Sequence, residues 1–216
     1  MLTRRTALTL LATSALAGAG MLAFGRGDGT APFDISARAQ GSVPIPDITL
    51  GDPAAPVKVV EYASYTCPHC ADFHNDTFKD FKRDYIDTGK VHFTYREVFF
   101  DRYGLWAAMV ARCAGPERYF GVAELLYSTQ SDWARAGEPA DVAAALKRVG
   151  AQAGMDQETL DACMQDAAKA ESLVAWYQAN AERDGVRSTP SFLINGDMHT
   201  GNMSLGQIGQ LVDEAA

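Results

Sequence analysis

The sequence lacks three features that would each indicate a particular class of protein. It has a single Cys-x-x-Cys pair, Cys67 and Cys70, whereas a structural zinc site usually needs a second pair of ligands. It has no excess of positive charge, because its net charge is −8, which argues against nucleic acid as a partner. Between Tyr103 and Gly185 it has no strand-like alternation, so this segment is expected to be helical.

The Cys67–Cys70 pair lies where a predicted strand runs into a predicted helix. Val57–Ala63 is rich in β-branched residues, and an amphipathic run to Phe81 follows the cysteines. Cys67 would lie at the helix N-terminus, where free N–H groups and the helix dipole favour a thiolate. A disulfide between these cysteines closes too small a ring to add much stability. This favours redox chemistry over half a zinc site or two inert thiols.

The neighbouring residues give the two sulfurs different expected roles. Pro68 suits the first helical position, because its missing N–H would have no partner there. His69 adds a hydrogen-bond donor and, when protonated, a positive charge that favours the thiolate. A stabilised thiolate makes the disulfide oxidising. We expect substrates to reach Cys67, while Cys70 lies deeper in the helix and serves as the resolving thiol.

Glu61 conflicts with the expected burial of strand Val57–Ala63. A carboxylate in a central strand is costly unless it is satisfied or protonated. One interpretation is a salt-bridged or solvated side chain, and the other is a buried group that relays protons beneath Cys70. Residue type alone does not decide between them.

Three motifs, in this order and spacing, resemble those of DsbA-like thiol:disulfide oxidoreductases of the thioredoxin superfamily. Cys67-Pro68-His69-Cys70 matches the family's Cys-Pro-His-Cys motif, and Glu61 matches its acidic residue on the preceding strand. Residues 188–196 resemble the family's cis-proline loop and following strand. The resemblance implies an α/β thioredoxin fold, in which a central mixed sheet is flanked by helices, with an inserted all-helical domain. It also favours the relay role for Glu61, and it implies no cofactor and no metal.

The expected organisation has four parts. They are an export signal and flexible leader (1–39), a first half of the thioredoxin fold with the active site (40–102), the helical insertion (103–185) and a second half with the cis-proline loop (186–216). Within the insertion, Pro116 is expected to begin the second helix and Trp133 to lie in a polar loop. Gly196-Asp197 is expected to form the turn of the final hairpin.

The N-terminus is typical of an export signal. Arg4-Arg5 precedes twenty uncharged residues, 6–25, and resembles a twin-arginine signal, although Ala7 stands where a bulky apolar residue is usual. Ala37-Arg38-Ala39 has the form of a cleavage site but lies far from the apolar run. Export to the periplasm with release is favoured. An uncleaved anchor is the alternative, because twenty uncharged residues could just span a bilayer.

Cys113 and Cys163 lie on different predicted helices of the insertion. They are either two buried thiols that act as small hydrophobes or partners in a disulfide. An even cysteine count in an exported protein favours the disulfide, which would pin the two helices together. A subset of DsbA-like proteins is similar in carrying such a second bond.

The Thr189-Pro190 bond is a candidate for cis geometry, since it precedes a predicted strand. The alternative for an isolated proline is a trans bond at the start of an edge strand. A cis bond would expose the backbone of Thr189 beside the cysteines, where a substrate could pair as an added strand. Pro68, Thr189 and Pro190 are therefore the expected substrate-binding residues. The Thr189 hydroxyl is expected to donate toward a Cys67 thiolate.

These observations predict an exported enzyme that donates the Cys67–Cys70 disulfide to reduced exported proteins through a mixed disulfide on Cys67. The resemblance implies reoxidation by a DsbB-like membrane quinone reductase, and a monomer is expected. A disulfide isomerase or reductase is the first alternative, but it usually needs a dimerisation module, for which residues 40–56 are too few. A glutathione-dependent isomerase generally has serine where Cys67 stands. The last alternative is a peptide-binding module without a net redox role.

Overall fold

The centre of the molecule is a mixed five-stranded sheet with strand order β1-β3-β2-β4-β5. The computed structural model describes residues 42–216, so the predicted export signal lies outside the described residues. The strands are β1 (Ile48–Leu50), β2 (Val57–Ala63), β3 (Val91–Glu97), β4 (Ser191–Ile194) and β5 (Asp197–Thr200). β2 and β3 are parallel, and the other neighbouring pairs are antiparallel. β2 therefore lies in the middle of the sheet, with a partner on each side.

A continuous helix follows β2, and it changes geometry along its length. It begins as α1 (Pro68–Phe73) and passes into a π-helical stretch (His74–Phe78). It then continues through α2 (Lys79–Phe81) to a second π-helical stretch (Lys82–Ile86). Because a π-helical turn holds an extra residue, it redirects the side chains that follow, and such turns are frequent at functional sites.

Six helices lie between β3 and β4, in the segment that lacks strand-like alternation. They are α3 (Arg102–Cys113), α4 (Tyr119–Ser128), α5 (Gln130–Ala134), α6 (Pro139–Gln152), α7 (Gln157–Met164) and α8 (Ala167–Arg183); a final helix, α9 (Leu205–Ala215), closes the chain. α3 begins where it does because Asp101 caps it, accepting from the backbone N–H groups of Tyr103 and Gly104 at 2.7 and 2.9 Å. Within residues 42–216, no helix combines the length and the apolar character that a bilayer span requires.

The helical insertion shares its core with the sheet. Val59 and Phe93 from the strands belong to the same continuous cluster of buried apolar side chains as Ala108, Leu126 and Leu146 from the insertion. Burying one large aliphatic side chain stabilises a fold by roughly 1.5–3 kcal/mol. The contacts between the insertion and the sheet are therefore part of what stabilises both.

A buried ion pair also joins the sheet to the insertion. Arg112 on α3 donates from Nε and Nη2 to the two carboxylate oxygens of Glu97 on β3, at 2.6 and 2.7 Å. The hydroxyl of Tyr119 donates to the same carboxylate at 2.7 Å, and it accepts from the hydroxyl of Tyr65 at 2.9 Å. All four side chains are buried. The carboxylate of Glu97 is thus satisfied mainly by residues of the insertion.

Pro116 does not begin the second helix, so that prediction was wrong. Gly115 has a left-handed φ of 80°, and the backbone N–H of Arg118 donates to the Gly115 carbonyl at 3.2 Å. The proline therefore lies in a turn, and the helix begins at Tyr119.

Two further local predictions were wrong. Trp133 is in α5 rather than in a polar loop; it is 1% exposed, and its indole N–H donates to the Leu126 carbonyl at 2.7 Å. The final hairpin turns at Asn195-Gly196, where φ is 47° and 99°, so Asp197 already belongs to β5. Asn-Gly is the pair that most readily adopts two successive left-handed residues in a two-residue hairpin turn.

Candidate active site

Cys67 and Cys70 lie where the central strand β2 gives way to helix α1. Cys67 is the N-cap residue of α1, and Pro68 begins the helix. Both cysteines are free thiols; Cys67 is partly exposed, whereas Cys70 is fully buried. Solutes can therefore reach the Cys67 sulfur, and Cys70 is shielded behind it.

The surroundings of Cys67 lower the pKa of its thiol to about 5. The largest contribution is a hydrogen bond from the Cys70 thiol, and burial partly opposes it by raising the pKa. The side chain of Thr189 and the backbone N–H groups of Cys70 and His69 lower the pKa further. Cys67 is consequently a thiolate at neutral pH, which is the reactive form.

The surroundings of Cys70 have the opposite net effect. Burial raises the pKa of the Cys70 thiol well above its ordinary value, and the hydrogen bond to Cys67 and the charges of Cys67 and Glu61 raise it further. Cys70 therefore keeps its proton under conditions in which Cys67 has lost its own. This difference gives the two sulfurs distinct chemical roles.

Two residues from outside the active-site loop, Gln130 and Asp101, form hydrogen bonds with it. Gln130 on α5 donates from Nε2 to the carbonyls of Tyr65 and Cys67, at 2.7 and 3.0 Å. The hydroxyl of Thr66 donates to Asp101, the residue that caps α3, at 2.9 Å. The sequence analysis did not identify Gln130, because nothing in the local sequence around it indicates that it contacts a residue so distant along the chain.

The structure brings Thr189 next to Cys67. The peptide bond between Thr189 and Pro190 is cis. The Thr189 carbonyl oxygen lies 3.5 Å from the Cys67 sulfur, within reach of a hydrogen bond from the thiol. β4 begins at the next residue, Ser191, so the loop is held directly by the sheet.

The ring of His69 is on the surface. Its side chain is 75% exposed, and its Nδ1 lies 3.5 Å from a carboxylate oxygen of Asp72. It is the backbone N–H of His69 that contributes to the lowered pKa of Cys67.

Glu61 is fully buried on β2, which excludes a solvated side chain. In the register of the sheet it lies between Tyr95 and Phe192. Its two carboxylate oxygens lie 3.1 and 3.0 Å from Nε2 of His74. The sequence analysis missed this partner. The available signal was spacing, since His74 follows Cys70 by four residues and so falls on the same helix face.

The remaining two cysteines form a disulfide. Cys113 at the end of α3 is bonded to Cys163 on α7, with Cα atoms 6.1 Å apart and a sequence separation of 50. The bond joins two helices of the insertion, and neither cysteine belongs to the Cys67–Cys70 pair. Within the described part of the chain, no three His, Cys, Asp or Glu side chains are grouped as metal ligands would be.

Comparisons with known proteins agree on one family. The model of the thioredoxin family matches residues 44–214. A Rickettsia felis protein named as a protein-disulfide oxidoreductase is 35% identical over 170 residues, which make up 78% of this chain and 60% of the relative. The chain thus spans about 60% of the length of this curated relative.

Solved structures show the same likeness. The crystal structure of Wolbachia pipientis alpha-DsbA1 superposes with a TM-score of 0.72 at 30% identity, covering 80% of this chain and 92% of that one. A protein-disulfide isomerase from Novosphingobium aromaticivorans superposes with a TM-score of 0.67 at 27% identity, covering 78% and 97%.

Proposed function

This chain belongs to the thioredoxin family, among its DsbA-like thiol:disulfide oxidoreductases, and on that basis we propose that it oxidises reduced proteins by donating the Cys67–Cys70 disulfide. The predicted thioredoxin fold with a helical insertion is confirmed together with the family. The observation that carries the proposal is the contrast between the two thiols. Cys67 is reachable and has a pKa of about 5, whereas Cys70 is buried and has a raised pKa.

The reaction divides into two exchanges. A substrate thiolate attacks the Cys67 sulfur, the bond to Cys70 breaks, and its electron pair goes to Cys70, which takes up a proton. A second substrate thiolate then attacks the substrate sulfur of the mixed disulfide and releases Cys67. Because the pKa of Cys67 is low, its thiolate is a good leaving group in this step. The substrate gains a disulfide, and the enzyme is left with two reduced cysteines.

The loop at Thr189 is the proposed docking edge for the substrate backbone. Its carbonyl lies against the Cys67 sulfur, so a strand that pairs with Thr189 places its own cysteine beside Cys67. Pro68 follows Cys67 in the chain and Pro190 follows Thr189, and these two prolines complete the proposed contact surface.

We propose that the protein acts in the periplasm as a monomer and is reoxidised by a DsbB-like membrane quinone reductase. The export features of residues 1–39 support this location. The Cys113–Cys163 disulfide supports it too, because such bonds persist in oxidising compartments. Release after export is favoured, and tethering by an uncleaved signal is the alternative. Fractionation of the producing cells tests the location, since an exclusively cytoplasmic protein would contradict it.

A disulfide isomerase is the second candidate, because the Novosphingobium structure carries that name. The two activities differ in the substrate that they require. An oxidase converts a reduced protein to its disulfide form, whereas an isomerase rearranges the bonds of a scrambled protein. Parallel assays on the two substrates distinguish them, and we expect the oxidised enzyme to favour the reduced one.

The decisive test of the proposed function uses two serine variants. We expect Cys67→Ser to abolish oxidation of a reduced peptide. In Cys70→Ser, we expect the Cys67 thiolate to attack the disulfide of an oxidised peptide, release the other peptide sulfur as a thiolate and accumulate a mixed disulfide that mass spectrometry detects. If Cys70→Ser forms no such adduct with an oxidised peptide, the assignment of the two sulfurs is wrong.

A further inference from the structure

His74 connects the buried carboxylate of Glu61 to an open groove. Its Nε2 lies 3.0 Å from a Glu61 oxygen, and its ring is stacked on that of Tyr127, with centroids 4.3 Å apart and planes 11° from parallel. The same residue lines a groove of about 770 Å³ between the first π-helical stretch and α4. One side chain therefore touches both the buried acid and a space open to water.

The groove is separate from the surface around the nucleophile. Besides His74, its apolar floor includes Phe78 and Phe120, and none of its lining residues is a cysteine or belongs to the Thr189-Pro190 loop. Glu61 has no exposed surface, and His74 is the only side chain within residues 42–216 that hydrogen-bonds its carboxylate. A proton that moves between Glu61 and the groove therefore has one side chain available to carry it.

The Cys70 sulfur needs a proton when the Cys67–Cys70 bond breaks. When a substrate thiolate breaks the Cys67–Cys70 bond, the electron pair stays on Cys70, which is fully buried. Burial raises the pKa of the Cys70 thiol, so the bare thiolate would be a poor leaving group. Glu61 is close enough for its charge to contribute to that raised pKa. A group that donates a proton to the Cys70 sulfur as the bond breaks would make Cys70 a better leaving group.

We propose that His74 carries protons between the groove and Glu61 and thereby supports the release of Cys70. As the substrate sulfur bonds to Cys67, Nε2 of His74 passes its proton to the Glu61 carboxylate, which passes it on to the Cys70 sulfur. Water in the groove then returns a proton to the ring of His74. Electrons pass only between sulfur atoms, from the substrate to the Cys67–Cys70 bond. The proton thus enters through a different face of the protein from the substrate.

The other titratable groups around His74 do not supply this proton near neutral pH. Burial raises the pKa of Tyr95 on β3 and of Tyr127 on α4 well above their ordinary value, so both keep their protons. The charged residues at the groove are Lys79, Lys82, Arg83, Asp87 and Glu124. Three of these are held in ion pairs: Lys82 with Asp87, and Arg83 with Asp80, which does not line the groove. His74 acts through Glu61 and does not touch the reacting sulfurs, so it is a positioning residue in this scheme.

The inference rests on the proposed function and is tested in the first exchange alone. The oxidised protein reacts with reduced glutathione across about pH 5 to 9, with rates expressed per glutathione thiolate. His74→Gln keeps a donor to Glu61 but cannot carry a proton. We expect it to react at least ~tenfold more slowly at neutral pH, with a flatter pH profile than the wild type, since general acid–base catalysis typically contributes 10²–10⁴-fold. The titration of the Cys67 thiolate should remain near pH 5.

Ser128→Ala is the matched control, because Ser128 also lines the groove but hydrogen-bonds only a backbone carbonyl. It should react like the wild type. An unchanged rate for His74→Gln, or a slower rate with an unchanged pH profile, overturns the inference. A solvent deuterium isotope effect on the wild-type exchange is an independent measurement that needs no variant, and its absence also overturns the inference. Failure of the oxidised wild type to exchange with glutathione would instead defeat the proposed function.

Discussion

The side-chain amide of Gln130 hydrogen-bonds the backbone carbonyl of Cys67, with 3.0 Å between Nε2 and the oxygen. The two residues are 63 positions apart in the chain, and Gln130 belongs to the helical insertion. The insertion therefore orients the backbone of the nucleophile directly, in addition to contributing to the common core.

Replacing Gln130 should change the chemistry of Cys67 without touching its side chain. Gln130→Met removes both donated hydrogen bonds while keeping a side chain of similar length. We expect the pKa of Cys67 to rise above its value of about 5, because the N–H groups of Cys70 and His69 are no longer held in position toward its sulfur. Thiolate absorbance at about 240 nm, followed against pH in the reduced protein, measures the shift. Ser131→Ala on the same helix should titrate like the wild type, and an identical titration of Gln130→Met would refute the orienting role.

The lowered pKa of Cys67 also predicts how the stability of the reduced form depends on pH. The thiol has a pKa of about 5 in the folded protein and ~8.5 in an unfolded chain. Its contribution to stability is fully present above ~8.5 and is lost as the pH falls through about 5. The oxidised form has no such group. The free energy of unfolding of the reduced form, minus that of the oxidised form, should therefore increase with pH across this window. Urea unfolding of both forms tests this, and a constant difference would contradict the thiolate assignment.

Thr189 should tune the oxidising power of the pair through its side chain. Thr189→Val removes the hydroxyl but keeps the shape, so the Cys67 thiolate loses a hydrogen-bond donor. We expect the pKa of Cys67 to rise and the redox equilibrium against glutathione to shift toward a more reducing couple. Thr189→Ser keeps the hydroxyl and is the control that should stay near the wild type. A shift of Thr189→Val toward a more oxidising couple would exclude a stabilising role for this hydroxyl.

The Cys113–Cys163 disulfide should matter more for stability than for turnover. Replacing both cysteines with alanine opens a loop with a sequence separation of 50. The loop-entropy model gives an upper limit of roughly 4 kcal/mol for the loss of unfolding free energy. Denaturant unfolding measures that loss, and oxidation of a reduced peptide by the folded variant measures turnover. If the folded variant no longer turns over, the second pair takes part in the redox reaction.

Elements whose local pattern and burial agree could be predicted from the sequence. Val57–Ala63 has the predicted bounds, because a run rich in β-branched residues that ends before a helical pattern indicates a strand. The segment between Tyr103 and Gly185 contains helices and no strand, as its lack of strand-like alternation predicts. Trp133 was misplaced because a lone tryptophan among polar residues resembles a loop. Its burial depends on packing within the insertion, which no local pattern reveals.

The residues of the candidate site also divide into those that the sequence predicts and those that it does not. The spacing of Cys67 and Cys70 indicates that they meet, and the resemblance to DsbA-like proteins implies that Thr189 lies beside them. The spacing places His74 on the same helix face as Cys70, but its contact with Glu61 also depends on the particular path of a helix that turns π-helical at His74. Gln130 could not be deduced, since its contact with Cys67 depends on how α5 packs over the active-site loop.

The ion pair between Glu97 and Arg112 limits how far this protein can be reduced in size. Deleting residues 102–183 to leave a minimal domain of sheet and flanking helices would remove Arg112 and Tyr119 together. Glu97 would then remain in the sheet as a carboxylate without its counter-charge, and breaking a buried pair in this way typically costs about 3–5 kcal/mol. A shortened enzyme would therefore need a neutral residue at position 97 before the deletion could be tolerated. In evolution too, a substitution of Glu97 would have to precede the loss of the insertion.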